Sequence, residues 1–114
     1  MRLTEAEVGS VKALVVEGPL DLEGAPDLLP VVDSALEGNH NRFVIDLSGS
    51  PHADSVGLEV LVTIASRVFR FGGRLGLFGA TDTFAEILRI TRLDKRLAIF
   101  KTREEALSRV REDD

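Results

Sequence analysis

One stretch, residues 43–61, constrains the fold more than any other part of the sequence. It opens with the apolar run Phe43-Val44-Ile45-Asp46-Leu47, continues through a loop of mainly small residues, and enters Asp54-Ser55-Val56-Gly57-Leu58. A near-continuous apolar run is typical of a strand that is covered on both faces. Asp or Ser directly before a periodic apolar segment is typical of a helix start. The stretch therefore predicts a buried strand, a loop and a helix whose first turn carries Ser55.

A helix start is a favourable position for an anion. Its first backbone N–H groups lack partners within the helix, and the aligned peptide dipoles add partial positive charge. A phosphate on Ser55 would suit that environment. The alternative without a regulatory role is that the Ser55 hydroxyl only caps the helix. Capping is common and contributes about 1 kcal/mol to stability. Asp54 could supply the cap instead, which would leave the Ser55 hydroxyl free and pointing outward.

The same residues resemble a family signature. Asp-Ser-x-Gly-Leu after an apolar strand that ends in Asp-Leu-Ser is similar to the signature of STAS domains, the anti-sigma factor antagonists, in which the serine is phosphorylated. Gly18-Pro19-Leu20-Asp21 is similar to the Gly-x-Leu-Asp loop of the family, and Thr91-Arg92-Leu93-Asp94 precedes a short closing strand. The resemblance spans nearly the whole chain and implies a single STAS-like domain over residues 1–114.

The resemblance implies a binding module that is switched by phosphorylation, not an enzyme, and it implies no cofactor. In its unphosphorylated form the chain would bind an anti-sigma factor serine kinase and so free the sigma factor. Phosphorylation of Ser55 would inactivate it, and a serine phosphatase could reverse that step. Asp21 would lie beside the acceptor, although ordinary turn chemistry explains an Asp there equally well. The expected partner-binding residues are Pro19, Leu20, Asp21, Asp54, Ser55, Val56, Gly57, Glu59 and Val60.

Three residues depart from the family pattern. Val56 stands where a small polar residue is usual after the acceptor, Pro19 stiffens the first loop, and Pro30 lies within the first predicted helix. Val56 can add an apolar contact to a partner, and Pro19 can alter which kinase is accepted. None of the three removes the acceptor.

Composition narrows the possible functions. With 114 residues, of which 44% are hydrophobic, the chain suits one compact domain that buries about two-thirds of its unfolded surface. Cysteine is absent, which excludes disulfides and thiolate metal sites and agrees with a cytoplasmic location. The formal charge of −5 argues against nucleic acid as a partner. No apolar run approaches the ~20 residues of a membrane helix, and no residues show convincing metal-ligand spacing.

The remaining segments alternate between strand and helix patterns. After an opening hairpin around Gly9-Ser10, this alternation requires crossover connections and mostly parallel pairing. The fold class is therefore α/β, with a five-stranded mixed sheet and about four helices that pack chiefly on one face. The predicted strands are Leu3 to Val8, Val11 to Glu17, Arg42 to Leu47, Arg74 to Gly79 and Leu97 to Phe100. The predicted helices lie between Ala25 and Leu36, from Ser55 to about Phe71, around Phe84 to Ile90, and after Thr102.

Local signals refine the helix ends. Pro30 predicts a kink or a late start in the first helix, which Gly38 should end. Capping-box spacings occur at Thr83-x-x-Glu86 and Thr102-x-x-Glu105. We expect Ile90 to point inward and the acidic tail Glu112-Asp113-Asp114 to follow the last helix.

Three alternative functions compete with the switch. His52 near Ser55 suggests a Ser-His-Asp hydrolase, but one loop cannot easily place base, nucleophile and oxyanion site together. Asp46 near a strand end suggests a receiver-like phosphoaspartate domain, although the acidic pair that such a domain needs after its first strand is missing. A STAS-type scaffold subunit of a lipid or anion transporter would use Gly72-Gly73 and Val60-Leu61-Val62 as a permanent docking surface. For Asp46 itself we expect hydrogen bonds from neighbouring loop N–H groups.

Overall fold

The computed structural model describes residues 1–111, and a five-stranded sheet forms its centre. The strands lie side by side in chain order: β1 Arg2–Val8, β2 Val11–Glu17, β3 Arg42–Gly49, β4 Arg74–Phe78 and β5 Ile99–Phe100. β1 and β2 are antiparallel, and all later neighbours are parallel. This confirms the predicted mixed sheet. It also excludes the receiver-like alternative, because that fold has strand order 2-1-3-4-5.

The opening hairpin follows from its turn residues. Gly9 adopts a φ of +63°, which costs glycine nothing, and Val8 pairs directly with Val11 across the turn. β2 is the more buried partner, as its richer content of Val and Leu predicts, and β1 forms an edge of the sheet. The prediction placed β3 centrally, and it is the middle strand of the five.

Different helices cover the two faces of the sheet. Alternation along β3 sends Phe43, Ile45 and Leu47 to one face and Val44 to the other. The first face packs against α1 Leu28–Glu37, α2 Ser55–Arg70 and α3 Asp82–Ile90. The second face is covered by α4 Arg103–Arg111, whose Ala106, Leu107 and Val110 are buried against it. Three of the four α-helices thus lie on one face, as predicted.

The first helix begins late, as Pro30 predicted. A short 3-10 helix, Ala25–Asp27, precedes α1, and α1 itself begins at Leu28. Pro30 therefore occupies the first turn, where its missing N–H would have no partner within the helix. Gly38 follows the last helical residue, as predicted.

The predicted start of α3 is wrong. Its N-cap is Thr81, whose hydroxyl accepts a hydrogen bond from the Phe84 N–H at 3.1 Å, so Thr83 lies inside the helix. The helix thus begins two residues earlier than the Thr83-x-x-Glu86 spacing indicated. Glu86 forms an ion pair with Arg89 and does not complete a capping box with Thr83. Ile90 is 62% exposed rather than buried, because it lies in the last turn, away from the Phe84 and Leu88 face.

The cap assignment can be tested with a matched pair of threonines. Thr81→Ala should lower the free energy of unfolding by about 1 kcal/mol, because it removes the oxygen that satisfies the Phe84 N–H. Thr83→Ala should change it by less than about 0.5 kcal/mol, because Thr83 is an exposed helical residue. Urea unfolding of both variants measures the difference. Equal losses would contradict the cap at Thr81.

The carboxyl-terminal part largely follows the prediction. The Thr102 hydroxyl accepts from the Glu105 N–H at 3.2 Å, and a Glu105 carboxylate oxygen accepts from the Thr102 N–H at 3.4 Å. The second capping box is therefore confirmed. β5 is shorter than predicted and comprises only Ile99–Phe100, while the acidic tail Glu112-Asp113-Asp114 lies outside the described residues. Within residues 1–111, no helix combines the length and apolar character needed to cross a membrane.

Candidate functional site

Ser55 is the first residue of α2, just beyond the carboxyl end of β3. In open parallel sheets, ligand and partner sites commonly lie beyond the carboxyl ends of the strands. The Ser55 side chain is exposed, and its hydroxyl forms no hydrogen bond with any other residue between 1 and 111. The hydroxyl is therefore accessible and is not needed for the local structure.

Asp54 is the N-cap of α2, which leaves the Ser55 hydroxyl free. The Asp54 backbone is extended, and Oδ1 accepts a hydrogen bond from the Gly57 N–H at 2.9 Å. Oδ2 accepts a second hydrogen bond, at 3.0 Å, from the Leu22 N–H in the loop after β2. The Gly57 hydrogen bond, with help from that of Leu22, lowers the pKa of the Asp54 carboxyl below its ordinary value. One carboxylate thus fixes the helix start and ties it to a second loop.

Backbone hydrogen bonds join the β2–α1 loop, residues 18–24, to the loop that precedes Ser55. The Gly18 N–H donates to the Gly49 carbonyl at 2.9 Å, and the Leu20 N–H donates to the His52 carbonyl at 3.0 Å. In return, the Asp54 N–H donates to the Leu20 carbonyl at 3.1 Å. The two loops therefore form one rigid surface at the carboxyl edge of the sheet.

Asp21 lies in this surface and stabilises its own loop. Its Oδ1 accepts hydrogen bonds from the Glu23 and Gly24 N–H groups, each at 3.2 Å. This is the turn chemistry typical of Asp. Asp21 is half-buried and makes no hydrogen bond with Ser55. The Asp21 carboxylate therefore stabilises the turn within residues 18–24.

Comparison with known proteins decides the family. The profile of the STAS domain family matches residues 4–106. The chain belongs to the STAS domain family. The anti-sigma-F factor antagonist RsfB of Mycobacterium tuberculosis is 28% identical over 109 residues, which make up 96% of this chain and 88% of RsfB.

Solved structures resemble this STAS domain over almost its full length. The crystal structure of the Thermotoga maritima protein TM1081 superposes with a TM-score of 0.89 at 28% identity, and covers 96% of this chain and 95% of that one. The crystal structure of an anti-sigma factor antagonist from Mycobacterium paratuberculosis gives a TM-score of 0.86 at 25% identity, over 97% and 94% of the two chains.

The STAS domain exposes six of the nine predicted contact residues at least in part. Leu20 and Val60 are buried at 0% and 6% exposure, and Gly57 is buried beneath the loop. The side chains of Leu20 and Val60 face the core and therefore position the surface instead of forming it. The six residues that remain accessible are Pro19, Asp21, Asp54, Ser55, Val56 and Glu59.

Leu22 belongs to this surface and was missed from the sequence. It is 66% exposed, and its N–H is held by Asp54 next to Ser55. A large apolar side chain directly after the Gly18–Asp21 motif, in a loop and outside the helical periodicity, was the available signal. Leu22 therefore places an exposed apolar side chain on the same surface as Asp54 and Ser55.

The other candidate groups of the STAS domain have structural roles. Asp46 accepts hydrogen bonds from the Ser48 N–H at 2.9 Å and the Ser48 hydroxyl at 2.7 Å, as expected for a strand end. The His52 side chain is exposed and forms no hydrogen bond with Ser55, so the hydrolase geometry is not assembled. Within residues 1–111, no cluster of three or more His, Cys, Asp or Glu residues is arranged to hold a metal ion.

The Asp54 cap predicts a pH dependence of stability. Because the folded-state pKa of Asp54 lies below the ordinary value of 3.8, the charged carboxylate stabilises the fold above that pH. This contribution is lost as the pH falls through the lowered pKa. Wild type should therefore exceed Asp54→Asn in stability at neutral pH, since an amide offers one acceptor for two N–H groups. Urea unfolding should show the gap closing below pH 3.8, and a gap independent of pH would contradict this role.

Proposed function

We propose that this STAS domain is an anti-sigma factor antagonist that is switched by phosphorylation of Ser55. The free, exposed hydroxyl at the start of α2 carries the proposal, because it is accessible to a kinase and makes no internal bond. The names of RsfB and the Mycobacterium paratuberculosis relative support the same assignment. The unphosphorylated form would bind an anti-sigma factor serine kinase and release the sigma factor.

The charge around Ser55 explains how a phosphate would act. The lowered pKa keeps Asp54 ionised, and Glu59 is exposed on the same first turns of α2. A phosphate adds a charge of about −1.5 to −2 to this acidic surface. The start of α2 favours the phosphate by only about 0.3 to 1 kcal/mol. In water the modification is tolerated, but a partner that covers Ser55 would have to bury an uncompensated dianion.

The switch would act at the surface and not by refolding the chain. Phosphorylation removes no hydrogen bond, since the Ser55 hydroxyl makes none within residues 1–111. The backbone hydrogen bonds between the two loops do not involve Ser55. The phosphorylated chain should therefore keep its fold and lose its partner, and a serine phosphatase would restore binding.

A sigma-release assay tests the proposed function. The chain is added to a preformed complex of the anti-sigma factor kinase with its sigma factor, and the free sigma factor is measured. Unphosphorylated chain should release it, and chain phosphorylated on Ser55 should not. Failure of the unphosphorylated chain to release any sigma factor would overturn the proposal.

A further inference from the structure

A basic segment interrupts an otherwise acidic chain. Residues 89–103 contain six of the fourteen basic residues and one of the nineteen acidic ones, so the segment has a formal charge of +5 and the rest of the chain −10. Such asymmetry is a signal for a separate anionic partner. The segment includes the last turn of α3 and the following 3-10 helix, Leu93–Lys95.

Basic residues line two depressions, the first of which lies at the carboxyl end of α2. One depression, of about 340 Å³, has an apolar wall with Phe69 and Arg96 among its lining residues. The other, of about 580 Å³, is lined by Ile90, by the three cations Arg89, Arg92 and Lys95, and by one carboxylate, that of Asp94. Lys95, which lines the second depression, directly precedes Arg96, which lines the first. We call the surface formed by Phe69, Ile90, Arg92, Lys95 and Arg96 the basic groove.

The basic groove is not accounted for by contacts within the chain. Phe69 is 80% exposed and Ile90 is 62% exposed, whereas apolar side chains of this size are usually covered. Within residues 1–111, Arg92, Lys95 and Arg96 form no ion pair with another side chain. Exposed apolar groups rimmed by unpaired cations are typical of an interaction surface.

The shape and charge of the basic groove indicate the kind of partner. We infer that it binds an acidic amphipathic segment of a partner protein, one that places a large apolar side chain in the depression beside Phe69 and carboxylates against Arg96 and Lys95. A concave depression with an apolar wall can enclose a side chain, whereas a bilayer presents a flat surface. The cationic rim selects Asp and Glu by charge complementarity.

This partner would be separate from the kinase. The 16 residues of α2 span about 24 Å between Ser55 and the end that carries Phe69. The two surfaces can therefore be occupied together. The basic groove would recruit or localise the chain while Ser55 controls the switch.

A peptide selection tests the inference. A library of random peptides displayed on phage is selected on the wild-type chain, and the enriched peptides are synthesised and titrated by fluorescence polarisation. The enriched sequences should combine Asp or Glu with Leu, Ile or Phe. Arg96→Glu and Phe69→Ser should each weaken peptide binding at least about tenfold. Arg96→Glu places a carboxylate against those of the peptide, and Phe69→Ser removes part of the apolar wall. Both residues are exposed, so circular dichroism should show the fold retained.

Lys101→Glu is the matched control. It makes the same change of charge as Arg96→Glu in the same basic segment but lies outside both depressions, so it should leave peptide affinity unchanged. The inference would be overturned if no peptides were enriched or if the enriched peptides lacked acidic residues. It would also be overturned if these peptides bound Arg96→Glu as tightly as wild type. Binding to vesicles of anionic lipid in place of peptides would overturn it in favour of a membrane. Neither readout involves Ser55, so such a failure would leave the proposed switch intact.

Discussion

Under the proposed switch, the Ser55→Asp variant is expected to bind an anti-sigma factor kinase at least about a hundredfold more weakly than wild type. The added carboxylate lies next to the ionised Asp54 and near the exposed Glu59. A partner that covers this position must desolvate a further negative charge, and an uncompensated buried charge costs several kcal/mol. Each 1.4 kcal/mol is a factor of ten in affinity. Isothermal titration with the purified kinase measures the loss.

Ser55→Ala is the matched control for this prediction. It removes the same hydroxyl without adding charge, and that hydroxyl makes no bond within residues 1–111. Its affinity should stay within a few-fold of wild type, and both variants should unfold at the wild-type urea midpoint. Equal binding by the Asp and Ala variants would contradict the switch. That result is expected of a permanent scaffold, such as a transporter subunit, whose docking does not depend on Ser55.

Gly57→Ala should produce the largest loss of stability, roughly 3 kcal/mol in the free energy of unfolding. A Cβ at Gly57 would lie 2.0 Å from the Leu20 carbonyl oxygen, which is backbone and is held by its hydrogen bond from Asp54. The loop and the helix start would have to separate. Because the same movement strains the Asp54 bond to Leu22, partner affinity should fall as well. Urea unfolding measures the first effect and titration with the kinase the second.

Gly38→Ala controls for the loss of a glycine in general. At Gly38 a Cβ would meet nothing closer than 3.6 Å, and its φ of −88° is accessible to any residue. This variant should change the free energy of unfolding by less than about 1 kcal/mol. A similar loss in both variants would show that the close approach of Gly57 to Leu20 is not what requires glycine there.

Much of the fold could be predicted because local signals agree with it. The continuous apolar run at β3, the Gly9-Ser10 turn and the Gly72-Gly73 stop all act within a few residues of the elements that they define. The helix start at Ser55 could be predicted for the same reason. Asp54 and Ser55 were both candidate caps, and the structure selects Asp54, which accepts from the Gly57 N–H. A family resemblance then indicated which of the two hydroxyl roles to test.

The rest depended on contacts between distant segments. Leu20 looked like a loop residue, but pairing of its loop with residues 52–54 buries its side chain completely. Gly57 looked like part of a contact surface, whereas it is a glycine because the Leu20 carbonyl lies against it. At α3 two threonines were candidates for the cap, and the structure shows that the Thr81 hydroxyl accepts from the Phe84 N–H. The basic groove combines α2 with a segment more than twenty residues later in the chain. The excess of basic residues in that segment is visible in the sequence, but the position of Arg96 beside Phe69 is not.

Phosphosite mapping tests the central claim most directly. The purified chain is incubated with its anti-sigma factor kinase and ATP, its intact mass is measured, and the peptides that cover residues 49–67 are sequenced by mass spectrometry. We predict one phosphate per chain, located on Ser55, and none on the Ser55→Ala variant. An unmodified Ser55 in the presence of an active kinase, or a phosphate at another residue, would contradict the account.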